Sequence, residues 1–126
     1  SMSQAESIAM VVEHAIETVP CAAVFVPTRT GTTARMISRF KPPVWIVALS
    51  CDLRVCQALR FSAGVVPVCL DTEPGDWGRF AERWLEEQSI QGEVAMLVTG
   101  PSERHPEANH RLEFVRIGTK SAFMNK

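Results

Sequence analysis

A chain of 126 residues with 46% hydrophobic and 21% charged side chains has the size and composition of one soluble globular domain. A formal net charge of -1, with Lys and Arg scattered along the chain, argues against a phosphate backbone as partner, so no nucleic acid is expected. No apolar run approaches the ~20 residues of a membrane-spanning helix, and no membrane partner is expected either.

Residues 1–120 read as one domain and 121–126 as a tail, with Ser1-Met2 a remnant of recombinant expression. Ser3 and Glu6 form an S-x-x-E capping box. Behind it Ile8, Val11, Val12, Ala15, Ile16 and Val19 recur at helical spacing, and Pro20 ends the helix. Cys21 to Val26 is an almost wholly apolar run of strand length, as a strand covered on both faces requires. After the polar turn at Thr28, the residues Ala34, Ile37 and Phe40 share a helical face, closed by Pro42-Pro43.

Val44 to Leu49 is a second buried strand. Ser50 or Asp52 caps a third helix reaching about Arg60, with Gly64 beyond its end. Val65 to Val68 is a third strand whose Pro67 suits a sheet edge. Past the turn at Asp71 to Gly75, the residues Trp77, Phe80, Ala81, Trp84 and Leu85 mark the clearest helical stripe in the chain. Glu93 to Val98 and Leu112 to Ile117 complete the strands. The residues between those two show no helical pattern, so the fifth strand returns antiparallel beside the fourth.

This alternation predicts an α/β fold: a three-layer α/β/α sandwich on a five-stranded, mostly parallel sheet, order 3-2-1-4-5, with strand 5 antiparallel. Cys21, Cys51, Cys56 and Cys69 lack C-x-x-C spacing, and three lie in or beside apolar runs. They are expected to be buried, inert thiols of a reducing compartment, which favours a cytoplasmic location and leaves an organellar form open. No metal site is expected in this chain.

Ligands of open α/β sheets bind beyond the carboxyl ends of the strands, where strand order reverses. In order 3-2-1-4-5 that point lies between strands 1 and 4, where the loops Thr28 to Thr33 and Thr99 to His110 meet. Thr28, Thr30, Thr32 and Thr33 offer hydroxyls, Gly31 admits close backbone approach, and Arg29 adds a charge. The loop opens onto a helix N-terminus, so a phosphate is the expected guest. The same residues also serve as ordinary cap and turn formers. No G-x-x-x-x-G-K-[ST] or G-x-G-x-x-G occurs, and nothing pairs a nucleophile with a base, so no catalytic residue is assigned.

Thr28-Arg29-Thr30-Gly31-Thr32-Thr33-Ala34, followed by Ile37-Ser38-Arg39-Phe40-Lys41-Pro42, closely resembles the T-x-S-G-x-[ST]-A…S-x-[FY]-[KR]-P signature of the pyruvate kinase C-terminal domain. Ile46-Val47-Ala48, Gln57-Ala58-Leu59-Arg60, Gly64-Val65-Val66-Pro67-Val68 and Val98-Thr99-Gly100 are similar to further segments of that family. The resemblance implies a parent enzyme that moves phosphate from phosphoenolpyruvate to ADP in a separate catalytic barrel, with magnesium and potassium as cofactors. A barrel of that kind takes ~250 residues and lies outside this chain.

It further implies that this domain binds a small phosphorylated metabolite as an effector, through Thr28, Arg29, Thr30, Gly31, Thr32 and Thr33, and joins a homo-tetramer. Trp77, Arg104 and His105 are candidate distal contacts. Thr30 stands where the family usually has Ser, and Arg83 and Trp84 occupy the neighbourhood of an Arg expected in some members. A monophosphate therefore fits better than a bisphosphate. Two alternatives stand beside this reading: a non-allosteric assembly domain of the same enzyme, and a stand-alone domain for a phosphorylated ligand.

Overall fold

The computed structural model describes residues 2–102 and 105–118. Helix α1 (Gln4–Thr18) begins at the expected box: the Glu6 N–H donates to Ser3 Oγ at 3.2 Å, and the Ser3 N–H to Glu6 Oε1 at 3.5 Å. Strand β1 (Ala23–Pro27), helix α2 (Thr32–Ser38), strand β2 (Trp45–Ser50), helix α3 (Leu53–Leu59) and strand β3 (Val65–Cys69) follow, then helix α4 (Trp77–Glu87) and strands β4 (Val94–Thr99) and β5 (Arg111–Arg116). The sheet has order β3-β2-β1-β4-β5. The β4–β5 pair is antiparallel and the other neighbours are parallel, as the chain pattern implied.

Side chains of β1 alternate between two cores. Val24 and Val26 face α1, α2 and α3, where they meet Ala9, Val12, Ile16, Ala34, Ile37 and Leu59. Ala23 and Phe25 face α4 and pack with Ala81 and Leu85. Right-handed crossovers account for the division: the chain runs outward from β1 to β3 with α2 and α3 on one face. Returning from β3 to β4 reverses direction and places α4 on the other. The expected stripe on α4 is its buried face, with Trp84 edge-to-face on Phe25 at 5.7 Å.

Ser38, at the end of α2, is buried, and its Oγ donates to the Ala63 carbonyl at 2.6 Å, tying α2 to the turn before β3. Pro42 and Pro43 lie beyond the helix; α2 stops at Ser38, and Lys41 adopts a positive φ of 50° in the turn that follows. The tail expected at 121–126 lies outside the described residues.

The cysteines correct one expectation. Cys21 and Cys56 are buried, whereas Cys51 and Cys69 are exposed. Cys69 ends the edge strand, and Cys51 stands just past β2 where the chain turns outward. An apolar neighbourhood in sequence therefore did not carry through to burial. Desolvation is the first cause pushing the Cys56 thiol up, to about 11, and neighbouring Cys69, Asp52 and Cys51 push in the same direction; burial also raises Cys21.

A thiol whose folded value stands above its unfolded one stabilises the fold fully below the unfolded value. That contribution is lost as pH rises through the folded value. Stability should thus fall between about pH 9 and 11 as the unfolded chain sheds the Cys56 proton first. Urea unfolding across that range should show the decline, and a Cys56→Ala variant should show a flatter one. In the α4 core, Leu85→Ala removes a side chain that is 2% exposed and should cost about 2–4 kcal/mol, read from the same titrations.

Candidate functional site

Three helices, α2, α3 and α4, start where β1, β2 and β3 deliver the chain to one end of the sheet. A cleft of about 1240 Å³ opens there. Its walls come from the loop after β1, the Ser50-Cys51-Asp52 turn after β2, the segment leading into α4, and the connection between β4 and β5. This is the strand-order reversal between β1 and β4.

The N-termini facing the cleft are finished in two different ways. Asp52 caps α3 by accepting from the Arg54 N–H at 2.9 Å, and Asp76 caps α4 by accepting from the Arg79 N–H at 3.1 Å. The Arg54 backbone bond is the first cause holding the Asp52 carboxyl below its usual value. At α2 the N-cap is Gly31, which has no side chain, and among the described residues no carboxylate caps that helix. Its dipole end lacks the carboxylate that neutralises the other two.

The loop before α2 is internally braced. Thr28 Oγ1 accepts from the Gly31 N–H at 2.7 Å, closing a turn stabilised by a hydroxyl. That bond uses the oxygen as acceptor and leaves its proton for a further partner. Thr30 Oγ1 lies 3.0 Å from Thr32 Oγ1 and accepts from the Thr32 N–H at 3.4 Å. Arg35 Nη2 donates to the Thr30 carbonyl at 3.2 Å and to Thr32 Oγ1 at 3.5 Å. Gly31 takes φ 86°, and a Cβ there would stand 2.7 Å from Arg35 Nη1 and 3.2 Å from Leu59 Cδ2. The backbone conformation favours glycine, and a side chain there would have to displace the Arg35 guanidinium and press on Leu59.

Of the residues singled out from the sequence, Thr28, Arg29, Thr30, Thr33, Trp77 and His105 line the cleft together. Gly31 is buried behind the lining, and Thr32 is turned toward Thr30 and Arg35. Arg104 lies outside the described residues. Trp77 is half-buried, edge-to-face on Phe80 at 5.9 Å, and so presents a fixed aromatic wall. His105 is exposed; its N–H donates to Ser102 Oγ at 3.1 Å, and its carbonyl accepts from the Ser102 and Ala108 N–H groups.

Sequence reasoning missed the acidic side of the cleft, namely Asp52, Glu73 and Asp76. The cap position of Asp52 was legible as a helix start, whereas Asp76 was not singled out, and only the assembled sheet brings the two to the same opening. It also missed Arg35, which lies one helical turn past Gly31 and reaches back over the loop. At Gly100 a Cβ would stand 2.7 Å from His110 Nδ1, so the imidazole lies directly against that glycine. Among the described residues, no group of three or more His, Cys, Asp or Glu side chains comes close enough to hold a metal ion. No helix among them is long and apolar enough to cross a membrane.

A family model described as pyruvate kinase, alpha/beta domain, matches residues 6–110. The chain is 58% identical over 48 residues to a pyruvate kinase of Thermococcus litoralis, a match covering 38% of this chain and 10% of that protein. Over 51 residues it is 45% identical to a pyruvate kinase of Trypanoplasma borreli, covering 40% of this chain and 10% of the relative. Among solved structures, Cryptosporidium parvum pyruvate kinase in complex with ADP superposes with a TM-score of 0.79 at 25% identity, over 92% of this chain and 24% of that one. Another crystal structure of Cryptosporidium parvum pyruvate kinase, at 21% identity and a TM-score of 0.74, shares the fold over 92% of this chain and 23% of its own. These matches thus span only a small part of each relative.

Gly31→Ala should cost about 1–2 kcal/mol, since a side chain at positive φ adds backbone strain to the collision with Arg35 and Leu59. Denaturant midpoints should report it. The amide resonances of Thr28 to Thr33 should shift far more than those of α4.

Proposed function

We propose, for a chain that belongs to the pyruvate kinase alpha/beta domain family, that it is the regulatory domain of that enzyme and binds the phosphate of a small metabolite in the cleft between β1 and β4. The observation that carries this reading is the start of α2. Among the described residues it is the helix facing the cleft that no carboxylate caps, and it is preceded by Thr28, Arg29 and Thr30, with Thr33 in its first turn. A phosphate there would take the place that Asp52 and Asp76 fill on the neighbouring helices. The Thr hydroxyls would donate to its oxygens, and Arg29 would supply opposite charge. Trp77 and His105, which line the same cleft, would meet the rest of the ligand.

The acidic residues Glu73 and Asp76 on the α4 side favour one phosphate over two, because a second would approach like charges. Regulation then requires that the ligand bind one arrangement of the whole enzyme more tightly than another, by typically 1–3 kcal/mol of coupling. The parent reaction, phosphate transfer from phosphoenolpyruvate to ADP, belongs in this proposal to a catalytic barrel outside this chain. Magnesium and potassium are assigned there as well, with the reaction they serve.

A second reading, assembly into a homo-tetramer, is favoured by the open edge of β5, where Phe114 is 46% exposed. Such an edge is a template for pairing with another strand. It does not compete with phosphate binding for residues of the cleft loop.

Isothermal titration with a panel of sugar monophosphates should identify a ligand. Thr30→Ala combined with Thr33→Ala should weaken it at least tenfold, about 1.4 kcal/mol or more, with an unchanged circular dichroism spectrum. Equal affinity in the double variant would remove the loop from the site. Absence of binding by every phosphate ester would leave the assembly reading.

A further inference from the structure

Behind the wall of the cleft, two thiols from different elements meet. Strand parity places Cys69 on the same face of β3 as Val65, which packs in the core shared with α3. Cys56 lies on α3. It is buried, and its thiol donates to the Ser50 carbonyl at 3.8 Å. Ser50 is the register partner of Cys69 across β2 and β3. Both sulfurs are therefore referred to one residue, and Cys69 is near enough to Cys56 to help push its thiol up.

The two differ in access. Cys69 is exposed at the end of an edge strand, while Cys56 is 6% exposed. Neither lines the cleft, so their chemistry is separate from the candidate phosphate site. Both are reduced.

We infer that Cys69 and Cys56 are a reversible oxidation site, in which a hydroperoxide converts the pair to an intrachain disulfide joining α3 to β3. The Cys69 thiolate attacks the outer oxygen of the hydroperoxide, the O–O bond breaks, and the alkoxide or hydroxide leaves and takes up a proton. Cys69 is then a sulfenic acid, oxidised by two electrons. The Cys56 sulfur attacks the Cys69 sulfur, its thiol proton goes to the departing hydroxyl, and water leaves as the S–S bond forms. With hydrogen peroxide the sum is two thiols and one peroxide giving one disulfide and two waters. Burial, which keeps Cys56 protonated, assigns it the resolving role and leaves the first attack to the accessible sulfur.

The test treats the reduced chain with hydrogen peroxide at neutral pH, blocks remaining thiols with N-ethylmaleimide, and maps peptides by mass spectrometry under non-reducing conditions. The expected product is a Cys56–Cys69 cross-linked peptide pair, lighter by two hydrogens, formed in a monomeric chain and released by dithiothreitol. Cys69→Ser should abolish the cross-link, and Cys51→Ser should leave its yield within twofold. The proposal is overturned if Cys69 proceeds to sulfinic acid while Cys56 is fully alkylated. It is equally overturned if the disulfide joins Cys51 to either partner, or if it links two chains. The unsubstituted chain decides the matter by itself, so a variant that folds poorly does not obscure the result.

Discussion

Strand β1 is buried on both faces and flanked on both edges, and the architecture is arranged around that condition. Its residues Ala23, Val24, Phe25 and Val26 are all close to 0% exposed and apolar, so the strand offers no polar side chain to water or a ligand. Polar chemistry can begin only where the strand ends. Pro27 closes it, the Thr28 N–H is satisfied by the Leu49 carbonyl at 2.8 Å, and the next residues are hydroxyls and a glycine. The chain must then turn back over the sheet at once to cover it with α2. The left-handed Gly31, backed by Leu59 and Arg35, makes that reversal in the space available.

From this geometry follows the electrostatic character of the cleft. Parallel strands aim three helix N-termini at one opening, and an uncompensated set of dipoles would make it strongly attractive to anions. Asp52 and Asp76 neutralise two of them from within the chain, and the remaining one is flanked by hydroxyls and Arg29. In the proposed reading the opening discriminates by position: negative charge would be accepted on the α2 side and opposed on the α4 side, where Glu73 and Asp76 line it. Bracing of the loop by Thr28, Thr32 and Arg35 would leave little ordering to oppose the binding proposed there.

The edges of the sheet behave differently from its centre. At β3 one side of the backbone is open, and a residue such as Cys69 that would be sealed in a central strand is reachable from solvent while still touching the layer beneath. At β5 the same openness leaves Phe114 half exposed.

Every helix and strand was legible in the chain, because apolar spacing and the marks at Ser3, Asp52, Gly64 and Pro20 are local signals; the end of α2 was not, since the helix stops at Ser38 and leaves Phe40, expected on its apolar face, exposed in the turn beyond. The order of the sheet was legible too, since handed crossovers and a connection without a helix leave few arrangements. The hydroxyl-rich loop announced itself by composition. Packing alone settled which of those residues turn toward the cleft, that Thr32 is held by Thr30 and Arg35, and that acids separated by over twenty positions share its rim. Burial of the cysteines likewise depended on strand position in the sheet, a property of contacts between distant segments that no local pattern of side chains encodes.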